Sequence, residues 1–347
     1  MVAAKQGKGF EVKRISSTDD RLLEDLTRFA ATHDCPSPFQ SGALFKVYSM
    51  AKGCSPLGFV AEDDDGELIG SIVATRFMDA GVLVGKIVNH VSCRGGPLFL
   101  PTKAGKSAGE QLLLRLLDAA EERSLYTRVY PMFDDPVQLS LLAGAKFSRQ
   151  DWLNYLLDLS IGKEMLWAKM RKTRRIGIQK ASKLGLEMAE VSTAKDVDTL
   201  YGLLIESHEH VRIPLQDKSL FEAVHRLLVP QGMAKMVMAY HGEKPVAAIV
   251  ALTFSGIIYD WYAGFVREEH EVNANEFLVW RLMTWGCESG CRLFDFGGAG
   301  LPEEEYGPRE FKRGFRGQLV NFGRYTVVHK PKMLKLIRNL YDVRRRI

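Results

Sequence analysis

One hairpin signal occurs twice in this chain, about 175 residues apart, and it constrains the fold more than any other feature. Gly66-Glu67-Leu68-Ile69-Gly70-Ser71-Ile72-Val73-Ala74 aligns with Gly242-Glu243-Lys244-Pro245-Val246-Ala247-Ala248-Ile249-Val250-Ala251 once one inserted residue is allowed. A short apolar strand precedes each, Leu57 to Ala61 and Met236 to Ala239, so both read as hairpins with Gly-Glu at the turn. Each half then predicts a helix, Lys106 to Arg123 and Asn273 to Ser289, and a further strand, Thr127 to Tyr130 and Leu293 to Phe296. The shared order implies a mixed α/β layer built twice by duplication. A length of 347 residues is long for one core and agrees with two domains.

The first half is expected to close with the helix Leu139 to Phe147, ending at Gly144, and the alternating strand Trp152 to Leu159. A basic helical connector, 162–185, marks the boundary, which divides the chain into residues 1–160, 161–320 and a terminal strand and helix over 321–347. That last segment is expected to pack on the first domain.

Charge is unevenly placed. Against a total of +5, residues 162–183 carry a local +7 and residues 330–347 a local +6, leaving −8 for the remainder. Two basic patches on an acidic body suit an anionic partner such as a nucleic acid, a diphosphate or an anionic lipid surface; both also read as solvated helix faces. In the tail, Met333, Leu334, Ile337, Leu340 and Tyr341 recur at helical spacing among basic residues. Such a stripe can pack on its own domain or lie on a membrane or RNA. No run is long and apolar enough to cross a bilayer, and residues 1–10 lack the apolar stretch of a secretory signal. Five scattered cysteines point to reduced thiols and the cytoplasm. Cys287 and Cys291, one turn apart with no histidine near, do not make a zinc site, and no metal is expected.

The densest chemistry lies between Ile257 and Tyr325. Two aromatic-rich strands flank a helix, and the second empties into Gly297-Gly298-Ala299-Gly300, with Lys312 just beyond between Phe311 and Phe315. Glycines at a strand end let a ligand approach the backbone, and a lysine among aromatics is a cation whose pKa can be tuned. Tyr259 and Tyr262 lie on the strand Ile257 to Gly264, where regular alternation sends them to opposite faces. Ala104-Gly105-Lys106-Ser107 echoes a phosphate loop, but the first glycine of that motif falls at Leu100. Lys103 to Gly109 meets the glycine requirement of a pyrophosphate-binding helix start only loosely, and Glu269 to Glu276 has no glycine.

Trp261, Gly264, Trp280, Gly290, Asp295, Gly297, Gly298 and the Phe311-Lys312-Arg313-Gly314-Phe315 block resemble the signature of the FemABX peptidyltransferases. Pro38-Phe39-Gln40-Ser41 and Arg94-Gly95-Gly96-Pro97 echo it more weakly, and the coiled-coil insertion of some members is missing. The resemblance covers nearly the whole length. It implies an α/β fold of two tandem GNAT-like (acyl-CoA N-acyltransferase fold) domains with mixed sheets. It also implies amide-bond formation, in which an aminoacyl group moves from aminoacyl-tRNA to an amine of a nucleotide- or lipid-linked sugar-peptide precursor of the cell wall. Under it, Lys312 is the catalytic residue, and Arg212, Lys46, Tyr259, Tyr262 and Phe311 bind substrate, with no bound cofactor. Lys46 also reads as an exposed helix lysine, and Lys312 as a lysine capping a loop. The alternatives are an acyl-CoA-dependent N-acyltransferase acting on surface sugars and a non-catalytic binder of glycan precursors.

Overall fold

The computed structural model describes residues 9–78, 89–211, 214–266 and 272–337. It divides into two compact units, one running to Gln150 and resuming at Phe322, the other spanning Asp151–Asn321.

In the first unit the chain forms β1 (Phe10–Arg14), α1 (Asp20–Thr32), a 3-10 turn (Pro38–Gln40), α2 (Gly42–Met50), β2 (Cys54–Asp63), β3 (Leu68–Met78), β4 (Asn89–Arg94), β5 (Leu98–Phe99), α3 (Lys103–Glu121), β6 (Tyr126–Tyr130), α4 (Pro136–Gly144) and β7 (Ser148–Gln150). The second unit holds β8 (Leu153–Asp158), α5 (Lys163–Lys169), α6 (Lys172–Lys183), β9 (Leu186–Glu190), α7 (Ala194–Val211), α8 (Lys218–Leu227), β10 (Ala234–His241), β11 (Lys244–Phe254), β12 (Ile257–Phe265), α9 (Ala274–Glu288), β13 (Leu293–Gly298), α10 (Gly307–Arg313) and β14 (Gln318–Asn321). Strand β15 (Arg324–Val328) returns to the first unit.

The sheets run in the orders β1-β2-β3-β4-β6-β15-β7 and β14-β8-β13-β12-β11-β10-β9. Each contains one parallel pair, β4 with β6 and β12 with β13, and the repeated hairpins are β2–β3 and β10–β11. Both hairpins carry the same defect. Ile69 is skipped in the β2–β3 register and Val246 in the β10–β11 register, and these two residues correspond in the sequence repeat. A shared bulge is hard to reconcile with independent origins.

The sequence-based boundary at residue 160 differs from the structure. β8, expected to close the first half, pairs with β13 and β14 of the second sheet. Conversely, β15 from the end of the chain lies between β6 and β7 of the first. The two halves exchange a strand, because register with a partner is a tertiary choice that local patterning does not encode. The connector is two helices rather than one, broken where Met170 leaves helical geometry and the Arg171 N–H donates to the Gly314 carbonyl at 3.0 Å.

Local signals explain the elements that frame the cores. Thr102 caps α3 through the Gly105 N–H, and Asp19 and Asp217 cap α1 and α8 in the same way, each cap stabilising by about 1 kcal/mol. α3 lays Leu112, Leu113 and Leu116 on the first sheet, while Leu23, Leu26 and Phe45 of α1 and α2 meet Val60 and Val73. β11 is buried almost throughout, as its unbroken apolar run requires. α9 brings Phe277, Leu278, Leu282 and Met283 to the same core as Ile178 of α6 and Ile258 of β12. α7 also approaches β12 closely, since a Cβ at Gly264 would lie 2.5 Å from the Leu203 carbonyl oxygen. Residues 331–337 are helical with Met333 and Leu336 exposed, and the rest of the basic tail lies outside the described residues.

Candidate active site

Parallel strands β12 and β13 are paired from Ile257 opposite Leu293 to Tyr259 opposite Asp295, and there the register ends. Both strands become irregular at this point. β12 accommodates one extra residue, Trp261, between the partners of Ala251 and Val250, and β13 shifts register against β8 between Asp295 and Gly298. The paired bulges re-aim the backbone where the glycine run begins.

Lys312, from the last turn of α10, reaches this point. Its Nζ donates to the carbonyl oxygens of Phe296 at 2.7 Å and Gly298 at 2.8 Å. Phe315, which follows it, is buried against Phe296 with ring centroids 5.4 Å apart, fixing the end of α10 on the core. Burial pushes the Lys312 amine below its ordinary value, and the charges of Asp260 and Asp295 oppose that shift. Asp260, in the middle of β12, has its carboxyl pushed up to about 6, chiefly by burial; Lys312 pulls it down and Asp295 pushes it further up. Asp295 is almost fully buried, and its Oδ1 accepts from Asn154 Nδ2 and from the Gly297 N–H, both at 2.7 Å. One cation and two carboxylates thus meet where two strands part. Gly298 is required there, because a Cβ would stand 2.6 Å from Nε1 of Trp152.

The other expected residues fare differently. Phe311 lies half-buried against the core, packs at a tilt against Phe315 and sits beneath the Arg174 guanidinium, 4.5 Å from its ring centre. Arg174 in turn pairs with Glu276 at the start of α9. Phe311 therefore buttresses α10 against α6. Tyr259 is buried, while half-buried Tyr262 packs edge-on to Phe221 at 5.0 Å and near His208 at 6.1 Å. The expectation that the two tyrosines point to opposite faces assumed a regular strand. The extra residue at Trp261 reverses the parity between them. Lys46, in the first unit, donates to the Ser17 carbonyl at 2.7 Å and to Asp20 at 3.0 Å, anchoring α2 to the start of α1. Arg212 lies outside the described residues.

Sequence reasoning did not single out Asp260 or Asn154. The available signal was a carboxylate inside an otherwise apolar and aromatic strand, an arrangement that burial makes costly unless it is paired. The glycines of the phosphate-loop echo serve packing: Cβ atoms at Gly105 and Gly109 would fall 2.2 Å from the Leu100 carbonyl oxygen and 2.6 Å from the Phe99 ring. Among the described residues no group of three or more His, Cys, Asp or Glu could hold a metal ion.

Residues 168–313 match the family of acetyltransferase (GNAT) domains. No curated protein sequence matches the chain. Among solved structures, FemX is 14% identical, covers 94% of this chain and 99% of its own, and superposes with a TM-score of 0.68. The domain (DUF2156) from Agrobacterium fabrum assigned as the C-terminal part of a lysylphosphatidylglycerol synthetase is 16% identical over 93% of this chain and 95% of its own, with a TM-score of 0.58. A tandem GNAT protein from the clavulanic acid biosynthesis pathway is 12% identical over 92% and 98%, also with a TM-score of 0.58. The chain thus has a tandem GNAT-like fold shared with FemX, and residues 168–313 of its second unit are similar to acetyltransferase (GNAT) domains.

Proposed function

We propose that this protein transfers an activated aminoacyl or acyl group to an amine, forming an amide, with Lys312 as the residue that stabilises the transition state. The observation that carries this reading is the placement of Lys312. Two carbonyl oxygens fix two of its N–H groups at the parting of β12 and β13, and the protonated amine keeps a third for a ligand. In aminolysis the acceptor nitrogen attacks the ester carbonyl carbon, and the carbonyl electron pair moves onto oxygen. Collapse expels the alcohol and the nitrogen loses a proton. A held ammonium beside the developing oxyanion lowers that barrier, and its prior fixation avoids reorganisation during the reaction. Asp260 serves Lys312 by favouring its charged form against desolvation.

The proposed donor is aminoacyl-tRNA, and the proposed acceptor an amine on a nucleotide- or lipid-linked sugar-peptide precursor. FemX and the lysylphosphatidylglycerol synthetase domain share the fold, and the second name itself denotes an aminoacylated lipid. Lys172 and Lys180 are exposed on α6 and suit an anionic donor. Arg212 is the proposed phosphate contact of the acceptor; Lys46 is tied to Asp20. Acyl-CoA is the second candidate donor, favoured by the acetyltransferase domain match. The test is to incubate the protein with aminoacyl-tRNA or acyl-CoA and candidate amine acceptors and to follow amide formation by mass spectrometry. Amide product that disappears in Lys312→Ala supports the reading. Product undiminished in that variant removes Lys312 from the chemistry.

A further inference from the structure

The second unit carries an open cavity of about 410 Å³ that the reading above does not use. It lies between α5, α6 and α9, and its apolar wall is formed by Trp167, Ile178, Phe277 and Trp280. The two indoles meet at 5.1 Å between ring centroids with a 52° tilt, and both remain half-exposed. Neither indole N–H has a hydrogen-bond partner among the described residues, although a tryptophan drawn into a core usually finds one. The polar rim includes Lys183, in the last turn of α6, and Arg281 of α9. Both are exposed, and among the described residues neither has an ion-pair partner. Glu288, the acid that senses the charge of Arg281, is engaged by Lys163 at 2.8 Å.

An aromatic wall facing water is costly to leave uncovered, and two unpaired cations at its edge attract negative charge. The volume falls in the range of small-molecule sites, which combine an apolar lining with a few placed polar groups. We infer that this cavity binds an amphipathic organic anion, with an apolar body against Trp167 and Trp280 and its carboxylate, sulfonate or phosphate between Lys183 and Arg281. The site draws on α5, α6 and the middle of α9, and its lining includes neither Lys312 nor the Phe296 and Gly298 carbonyls that hold it. It therefore stands whether or not acyl transfer is the activity.

The test uses the full chain and two probes of similar shape: 8-anilinonaphthalene-1-sulfonate, an anion, and N-phenyl-1-naphthylamine, its uncharged analogue. Titration with the sulfonate is expected to saturate at one site and to quench tryptophan emission. The double variant Lys183→Gln/Arg281→Gln is expected to weaken that binding roughly tenfold with little change in thermal unfolding, because both side chains are exposed. The neutral probe is expected to bind more weakly than the sulfonate and to be indifferent to the double variant. Ser182→Trp, which crowds the cavity from α6, is expected to abolish saturable binding of both. Sulfonate binding that never saturates, that matches the neutral probe, or that survives either variant undiminished overturns the inference.

Discussion

The side-chain amide of Gln40 pairs with the main chain of Val73 in both directions. Its Oε1 accepts from the Val73 N–H at 2.7 Å, and its Nε2 donates to the Val73 carbonyl at 2.8 Å. The same Nε2 also lies 2.8 Å from the Arg94 carbonyl oxygen, so one fully buried glutamine bridges β3 and β4 beyond Thr75 opposite Ser92, where their pairing ends. Gln40→Leu keeps the volume but strands one N–H and two carbonyls. At about 1–3 kcal/mol for each buried unsatisfied group, the loss should reach several kcal/mol, read as a lower urea midpoint.

Lys312→Ala removes both a proposed charge and two hydrogen bonds. We expect turnover to fall about a hundred- to thousandfold, the effect of losing one oxyanion donor, with acceptor affinity little changed. Stability should fall by roughly 1–3 kcal/mol from the Phe296 and Gly298 carbonyls left unpaired. Steady-state kinetics at a temperature well below the variant's melting point separates the two effects. Equal losses in activity and folded fraction would assign Lys312 a purely structural role.

The depressed amine of Lys312 predicts a ceiling in pH. Activity should decline as pH rises through a midpoint below 10.5, because the ammonium is the active form. Asp260→Asn removes the larger of the two charges that favour protonation, so the midpoint should move lower still. A midpoint that stays put in Asp260→Asn would show that the carboxylate does not tune the lysine.

Two groups should tilt stability with pH in opposite directions. The Asp260 carboxyl holds its proton up to about 6 in the folded chain against an ordinary 3.8, so the folded state binds more protons between those values. Its contribution is fully present at low pH and is lost as pH rises from about 4 to 6. Lys312 and Asp295 are the charges that modulate it. His90 behaves inversely. Burial, with Arg128 adding, lowers it to about 4 from 6.5, so its contribution is lost as pH falls through that interval. Its ring stacks on Tyr126 at 5.1 Å, which makes His90→Phe a shape-conserving probe. Denaturation series from pH 3.5 to 7.5 should lose one slope in Asp260→Asn and the opposite slope in His90→Phe.

Features with a local cause were legible in the sequence. The repeated hairpins follow from turn glycines between apolar runs, and α3 and α9 from helical spacing, with ends misplaced by a few residues. Lys312 stood out because a glycine run and two phenylalanines surround it, and the structure brings its amine to the Phe296 and Gly298 carbonyls. Features set by a partner strand were not legible. The bulge at Trp261 reversed the expected facing of Tyr259 and Tyr262, and the exchange of β8 and β15 moved the domain boundary. Lys46 matched a family position in type, yet its environment is a local ion pair with Asp20.

The position of β15 between β6 and β7 has a consequence for biosynthesis. The first sheet contains both the first and the last of the described strands. At about 5–20 residues per second, β6 and β7 wait roughly ten seconds or more for the partner that joins them. Throughout that interval each presents an open edge to neighbouring nascent chains, while the strands of the second sheet, from Leu153 to Asn321, are being synthesised. The second unit thus has its full set of described strands at Asn321, before β15 completes the first. A transcript truncated just after residue 321 would yield a folded second unit joined to an aggregation-prone first one.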